Sequence, residues 1–286
     1  MYLFLRRISF FWSLKILPAH TLHLILVPCF IFCLTCQMVA QDFEVAPVLV
    51  SFNANPGEIQ TKTVTVRNHN NMRQKFILSL SDYTIRQDGT KETMQAGSTS
   101  RSLMQWLTIN PAFVELNPNE SAEVQLIMTV PRSGFNTRWG MIHVELAREQ
   151  SAAEVDKELA TGVRLVPRIV VLVKQSPRSN QNYRGKITDL AEVTSPGEGV
   201  RSFEATLVNE GDKILEAKVY LALANLSSME EIQMQPKSVT IYPDNRLKVK
   251  LSLDHPLEPG QYALAFLMDY GHRSAIEGAQ MMLEEK

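Results

Sequence analysis

Residues 159–177, LATGVRLVPRIVVLVKQSP, alternate between two faces on both sides of Pro167. One face carries Leu159, Thr161, Val163, Leu165, Ile169, Val171 and Val173. The other carries Arg164, Val166, Arg168, Val170, Leu172 and Lys174. Period-two alternation with many β-branched residues predicts a long strand, and a proline within it belongs at a sheet edge or a bulge. An edge strand with an apolar row beside cations suits pairing with a strand of another chain, so we expect a partner-binding strand here.

The composition is that of a globular protein. The chain has 286 residues, of which 45% are hydrophobic and 21% charged, and this length accommodates two ordinary domains. Its first 40 residues contain three basic residues and no acidic one, so the remainder holds 26 basic and 30 acidic side chains. This excess of acidic residues argues against a nucleic-acid partner, because binding to nucleic acid requires a basic surface.

Residues 1–40 predict an export signal. Arg6, Arg7 and Lys15 form a basic region, and residues 22–35 form an apolar core of signal-peptide length. Ala40 precedes the expected cleavage point. The alternative is a signal anchor that is retained, in which case the protein would contact the membrane through this segment alone.

The chain carries no catalytic signature. Its three cysteines, Cys29, Cys33 and Cys36, all lie in the predicted signal, so the exported part has no disulfide framework and no thiolate metal site. The histidines beyond the signal are scattered, and no phosphate-binding loop or nucleophile elbow occurs. We therefore predict no enzyme activity, no catalytic residue, no metal and no cofactor. His143 alternates within a predicted strand, where a half-buried, hydrogen-bonded side chain is expected.

Two series of short strands follow the signal. The first is expected at 43–53, 61–68, 75–86, 106–109, 113–116, 122–130 and 138–146, with the break at Pro47 marking an edge strand. Residues 147–160 predict a solvated loop or helix, or alternatively a mobile connection that orders when a partner binds. The second series is expected at 183–193, 202–208, 214–224, 238–241, 247–253, 261–268 and 275–283. These patterns predict two β-sandwich domains, at 42–176 and 181–286.

Four stretches resemble one protein family. They are Trp106-Leu107 with Pro111 and the residues 116–120, the pair Arg138-Trp139, the run 163–174, and Met268-Asp269-Tyr270-Gly271-His272-Arg273. Together they are similar to the two-domain, immunoglobulin-like periplasmic pilus chaperones, the PapD-like group. The resemblance implies an all-β fold of two immunoglobulin-like β-sandwich domains in tandem after the signal.

The resemblance also implies a binding mode. In that family the last strand of the first domain lends alternating apolar side chains to an incomplete pilin subunit, and basic residues hold the subunit's terminal carboxylate. Carried over by position, Val163 and Leu165, with Leu159 at the margin, would be donor residues, and Arg168 would be the basic anchor. Lys174 completes the predicted partner-binding set. Residues 47–50 carry no cation where the family has a second basic anchor.

The sequence therefore predicts a periplasmic, chaperone-like protein of the bacterial envelope. Its partner would be a pilin-like or other surface protein subunit, bound by strand addition through an edge strand. The alternative is a non-catalytic structural or adhesive envelope module that binds a surface polymer or protein.

Overall fold

A computed structural model describes residues 42–147, 167–195, 199–271 and 276–285. Within these ranges the chain is all-β and contains no helix, and so none that could span a membrane. The first ten strands are β1 (Phe43–Ala46), β2 (Leu49–Phe52), β3 (Ile59–Asn68), β4 (Gln74–Ile85), β5 (Lys91–Met94), β6 (Leu107–Asn110), β7 (Phe113–Leu116), β8 (Ser121–Thr129), β9 (Arg138–Leu146) and β10 (Arg168–Gln175). The next eight are β11 (Gly185–Glu192), β12 (Arg201–Asn209), β13 (Leu215–Asn225), β14 (Glu231–Gln233), β15 (Lys237–Ile241), β16 (Arg246–Leu253), β17 (Gly260–Asp269) and β18 (Ile276–Glu285).

Strands β1 to β10 form the first sandwich. One sheet has the order β1-β3-β8-β6; the other has the order β2-β10-β9-β4-β5, with β7 also paired to β4. The core lies between the sheets because alternate residues of each strand point inward. Its side chains include Phe43, Phe76, Trp106, Leu126, Ile142, Val171 and Val173.

Strands β11 to β18 form the second sandwich. One sheet has the order β11-β12-β16, and the other has the order β14-β13-β17-β18, with β15 also paired to β13. Strand β16 shows why the sequence folds this way, since its residues alternate strictly between exposed and buried. The fold class predicted from the sequence, two immunoglobulin-like β-sandwiches in tandem, is confirmed.

The strand predictions hold with small shifts of their ends. The break at Pro47 divides the first predicted strand into β1 and β2, which lie at the edges of two different sheets. Two strands were missed, β5 and β14, which have three or four residues and mostly exposed side chains. The predicted signal and the 147–160 connection lie outside the described residues, apart from Ala147.

An aromatic cluster joins the two sandwiches. The Tyr242 ring meets the rings of Trp139 and Tyr83 edge-on, with centroid distances of 5.0 Å and 5.9 Å. The hydroxyls of Tyr83 and Tyr242 are 2.9 Å apart, and Trp139 Nε1 donates to the Tyr83 carbonyl at 3.0 Å. Burial raises the pKa of Tyr83, and its bond to Tyr242 adds to the effect. The Trp139 side chain therefore lies on the outward face of its sheet, beneath the second sandwich, and not in the core between the two sheets.

A polar network centred on Asp212 lies beside this cluster. Arg101 of the first sandwich donates to Asp212, and the Thr137 amide donates to its Oδ2 at 2.9 Å. Asn180, in the connection between the sandwiches, donates to the same oxygen at 2.6 Å. Arg101 also donates to Asp244 at 2.5 Å. Charge-assisted bonds of this kind, partly shielded from water, fix the orientation of the two sandwiches.

We predict that Asp212→Ala weakens the coupling between the sandwiches. The change removes the acceptor of the Thr137 amide and the charged acceptor that Arg101 and Asn180 share, although Arg101 keeps its bond to Asp244. The free energy of unfolding should therefore fall by about 2 kcal/mol. Equilibrium urea unfolding, followed by tryptophan fluorescence, measures this loss. Glu210→Ala, at an exposed carboxylate without an ion pair among the described residues, is the control. Equal stability of the two variants would contradict the role assigned to Asp212.

Candidate functional site

Strand β10 is paired along its whole length on one side and along only half of its length on the other. Strand β9 pairs antiparallel with all of it, from Arg168 opposite Glu145 to Gln175 opposite Arg138. Strand β2 pairs parallel with it only from Leu172 onward. No other strand of the described residues pairs with β10. The half of the edge that begins at Arg168 is therefore open in this part of the chain.

The backbone groups at this open half-edge can be assigned. The amides of Leu172 and Ser176 donate to the carbonyls of Val48 and Phe52, at 2.9 Å and 3.1 Å, so even-numbered residues turn their backbone groups toward β2. Along a strand these directions alternate. The N–H and C=O groups of Arg168 and Val170 therefore point to the open side. Unpaired groups in a row are a template for another strand.

The two faces of β10 have different roles. Val171 and Val173 are fully buried in the first core, as expected for ordinary packing. Val170 and Leu172 lie on the opposite face, where they pack against the aromatic cluster. This strand therefore supports its own domain, packs beneath the second sandwich and leaves part of one edge open.

The structure describes two of the five predicted partner-binding residues. Arg168 begins β10; its side chain is 49% exposed, and its Nε lies 2.7 Å from Glu145 Oε1. Lys174 lies farther along the same face, is 20% exposed, and bonds at 2.5 Å to Glu216 of the second sandwich. The predicted donor residues Leu159, Val163 and Leu165 lie outside the described residues and stay predictions.

An apolar rim borders the open half-edge. Val48 and Leu49, where the pairing with β2 starts, are 54% and 51% exposed. Arg168 of β10 lies opposite Glu145 of β9, which lies opposite Ile77 of β4, which in turn lies opposite Phe113 of β7. The last two side chains of this row, Ile77 and Phe113, are exposed and apolar. Sequence patterns assigned these residues to strands but gave no sign that they share a row.

His143 lies beside this edge, opposite Val170 on β9. It is 4% exposed, and neither ring nitrogen has a hydrogen-bond partner within the described ranges. The expectation of a half-buried, hydrogen-bonded histidine is thus wrong. Burial lowers the pKa of His143, and the positive charge of Arg168 lowers it further, while Glu145 acts in the opposite direction. The ring is consequently held neutral in a site that disfavours its charged form.

Solved structures that are similar to this chain have low sequence identity to it. No family model and no curated protein matches the chain. A chain of a chaperone–tip adhesin complex of CFA/I fimbriae is 11% identical, with a TM-score of 0.48 over 85% of this chain and 98% of that one. The class 5 fimbriae chaperone CfaA is 11% identical, with a TM-score of 0.47 over 84% and 98%. A chain of the CsuC–CsuE chaperone–adhesion subunit complex of Acinetobacter baumannii is 12% identical, with a TM-score of 0.42 over 84% and 98%. The likeness is one of fold.

His143 should make stability depend on pH. Its pKa is lower in the folded chain than the ordinary value of about 6.5, so the unfolded chain binds the extra proton as the pH falls. The free energy of unfolding should therefore decrease between about pH 7 and pH 5. His143→Phe should lessen this decrease, whereas His255→Phe, at an exposed histidine, should leave it unchanged. Urea unfolding at several pH values measures both, and an unaltered slope in His143→Phe would contradict this assignment.

Proposed function

We propose that this protein is a periplasmic chaperone that keeps a surface-fibre subunit soluble by adding a strand edge to it. The observation that carries the proposal is the open half of β10, where Arg168 and Val170 present backbone groups that no strand of the described residues uses. The predicted donor residues at 159, 163 and 165 would extend the same edge. Binding of this kind requires no catalytic group.

The guest would lie against β10 on the side opposite β9. Its backbone would exchange hydrogen bonds with Arg168 and Val170, which supplies affinity without regard to sequence. The exposed Val48 and Leu49 limit how far the guest can advance, because β2 occupies the edge from there onward. Alternating side chains would then set the register of the guest strand.

Arg168 suits the recognition of a carboxylate at this edge. Its guanidinium is half exposed and already holds Glu145 in an ion pair. An exposed pair of this type contributes little to stability, so a guest carboxylate can replace Glu145 at small cost. A planar guanidinium can bind a carboxylate through two parallel hydrogen bonds.

Val170→Pro tests strand addition directly. Of the backbone groups, proline removes only an N–H that faces the open side, and such positions tolerate proline within a sheet. The variant should fold but bind a candidate fibre subunit about tenfold more weakly or worse, because one guest bond is lost and the ring obstructs the guest backbone. The measurement is co-purification of a one-to-one complex from periplasmic extract of cells that co-express the subunit.

Val170→Ala is the matched control, since it shortens the same side chain and keeps the N–H. Val163→Asp and Leu165→Asp should also abolish the complex if the predicted donor residues act as proposed. A complex that survives Val170→Pro and both aspartate changes would refute strand addition at this edge. In that case binding of a surface polymer would become the alternative to test.

The carboxylate role of Arg168 has its own prediction. Arg168→Ala should lower the free energy of unfolding by less than about 1 kcal/mol, yet weaken the complex severalfold. Glu145→Gln should strengthen the complex because it releases the guanidinium from its internal partner. Titration of purified protein with refolding subunit measures both affinities. If neither change affects the affinity, Arg168 is not an anchor, and strand addition is then independent of it.

A further inference from the structure

A groove with basic walls lies on the flank of the second sandwich, where strands β15 and β16 face each other. Asp88 and Gly89, at the tip of the β4–β5 hairpin, also line it, and it has a volume of about 360 Å³. A neighbouring depression shares Asp88, Lys248 and Lys250 with it, so the two are continuous. This groove has no residue in common with the open edge of β10.

The walls concentrate positive charge. Five cations line the two depressions: Arg86, Lys91, Lys237, Lys248 and Lys250. The only acidic side chains among the lining residues are Asp88 and Glu204. The formal charge of the whole chain is −1, so this surface differs sharply from the rest of the molecule.

Three of these five charges have no counter-ion among the residues that the structure describes. Lys248 lies 3.5 Å from Glu204, and Arg86 lies 3.4 Å from Glu92, both in exposed pairs. Lys91, Lys237 and Lys250 form no ion pair within the described residues. Three like charges on the residues that line one small volume repel one another, and a bound anion would relieve this repulsion.

The hairpin tip gives the groove a fixed shape. The Lys248 amide donates to the Gln87 carbonyl at 2.7 Å, and Asn245 donates to the Ile85 carbonyl at 3.3 Å. A Cβ on Gly89 would lie 3.3 Å from Leu247, so the tip packs closely against β16. By strand alternation the Lys250 amide points to the same open side as that of Lys248, and it can donate to a ligand.

Protection of strand edges does not explain this arrangement. Lysines on an edge strand hinder pairing with other chains, and Lys248 and Lys250 can serve that purpose on β16. Protecting the edge of β16 does not require lysines from other strands. Lys91 of β5 and Lys237 of β15 nevertheless line the same groove as the two lysines of β16. The lining also has an apolar part, which includes Val239, Leu247 and Val249.

We propose that this groove binds a ligand that carries two or more phosphate groups. Ammonium groups are compact point charges that suit phosphate, and the volume fits a small ligand or a headgroup but not a folded partner. Such phosphates occur in free oligophosphate compounds and in the headgroups of anionic lipids. The proposal is independent of the proposed function because it concerns a different surface.

Titration calorimetry with sodium tripolyphosphate, and flotation with vesicles that contain cardiolipin, whose headgroup carries two phosphates, or with vesicles of phosphatidylcholine alone, distinguish the two sources. Binding of tripolyphosphate alone indicates a free ligand, and binding to cardiolipin vesicles but not to phosphatidylcholine vesicles indicates a lipid. In either case Lys91→Glu/Lys250→Glu should weaken binding about tenfold or more. Lys91→Gln/Lys250→Gln, which removes the charges without reversing them, provides a milder variant if the first fails to fold.

Lys62→Glu/Arg67→Glu is the matched control. It changes the net charge equally, at two exposed residues of β3 in the first sandwich. The proposal is overturned if neither phosphate probe binds at physiological salt, or if the control weakens binding as much as the groove variant. Binding of poly-glutamate in the absence of binding to both phosphate probes would also overturn it, in favour of an acidic peptide.

Discussion

Strand β10 is hydrogen-bonded along its whole length by β9 but only along its second half by β2. The chain crosses from one sheet to the other at Pro47, between β1 and β2, so β2 begins too late to cover Arg168 and Val170. A sandwich normally pairs or covers such an edge, since unpaired backbone groups attract other chains. Within the described residues this edge remains open beside an apolar rim, and that arrangement supports a binding role.

The other parts of the structure hold this edge in a defined position. Val171 fixes β10 to the first core, while Leu172 and Lys174 on the opposite face contact the second sandwich. The bonds to Asp212 and the rings around Tyr242 keep the second sandwich over that face. A strand held on both faces and along one edge loses little conformational entropy when it pairs with a guest, so more of the pairing energy becomes affinity.

Sequence patterns predicted most of the fold because burial on one face imposes a period of two, as in β16. These patterns show that a side chain points away from the core, but they do not show which residues of other strands or of the other domain it contacts. The contact of Trp139 with the second sandwich and the burial of His143 were visible only in the folded chain. The basic groove was missed for the same reason, since Lys91 and Lys237 are far apart in the sequence and meet only in the folded chain.

Amide hydrogen exchange at adjacent residues of β10 tests the central claim most directly. Val171 turns its N–H toward β9, whereas Val170 turns its N–H toward the open side. In the free protein the Val170 amide should exchange much faster than the Val171 amide, and it should become protected when a subunit binds. Equal, strong protection of both amides in the free protein would show that the edge is already occupied, and the account would fail.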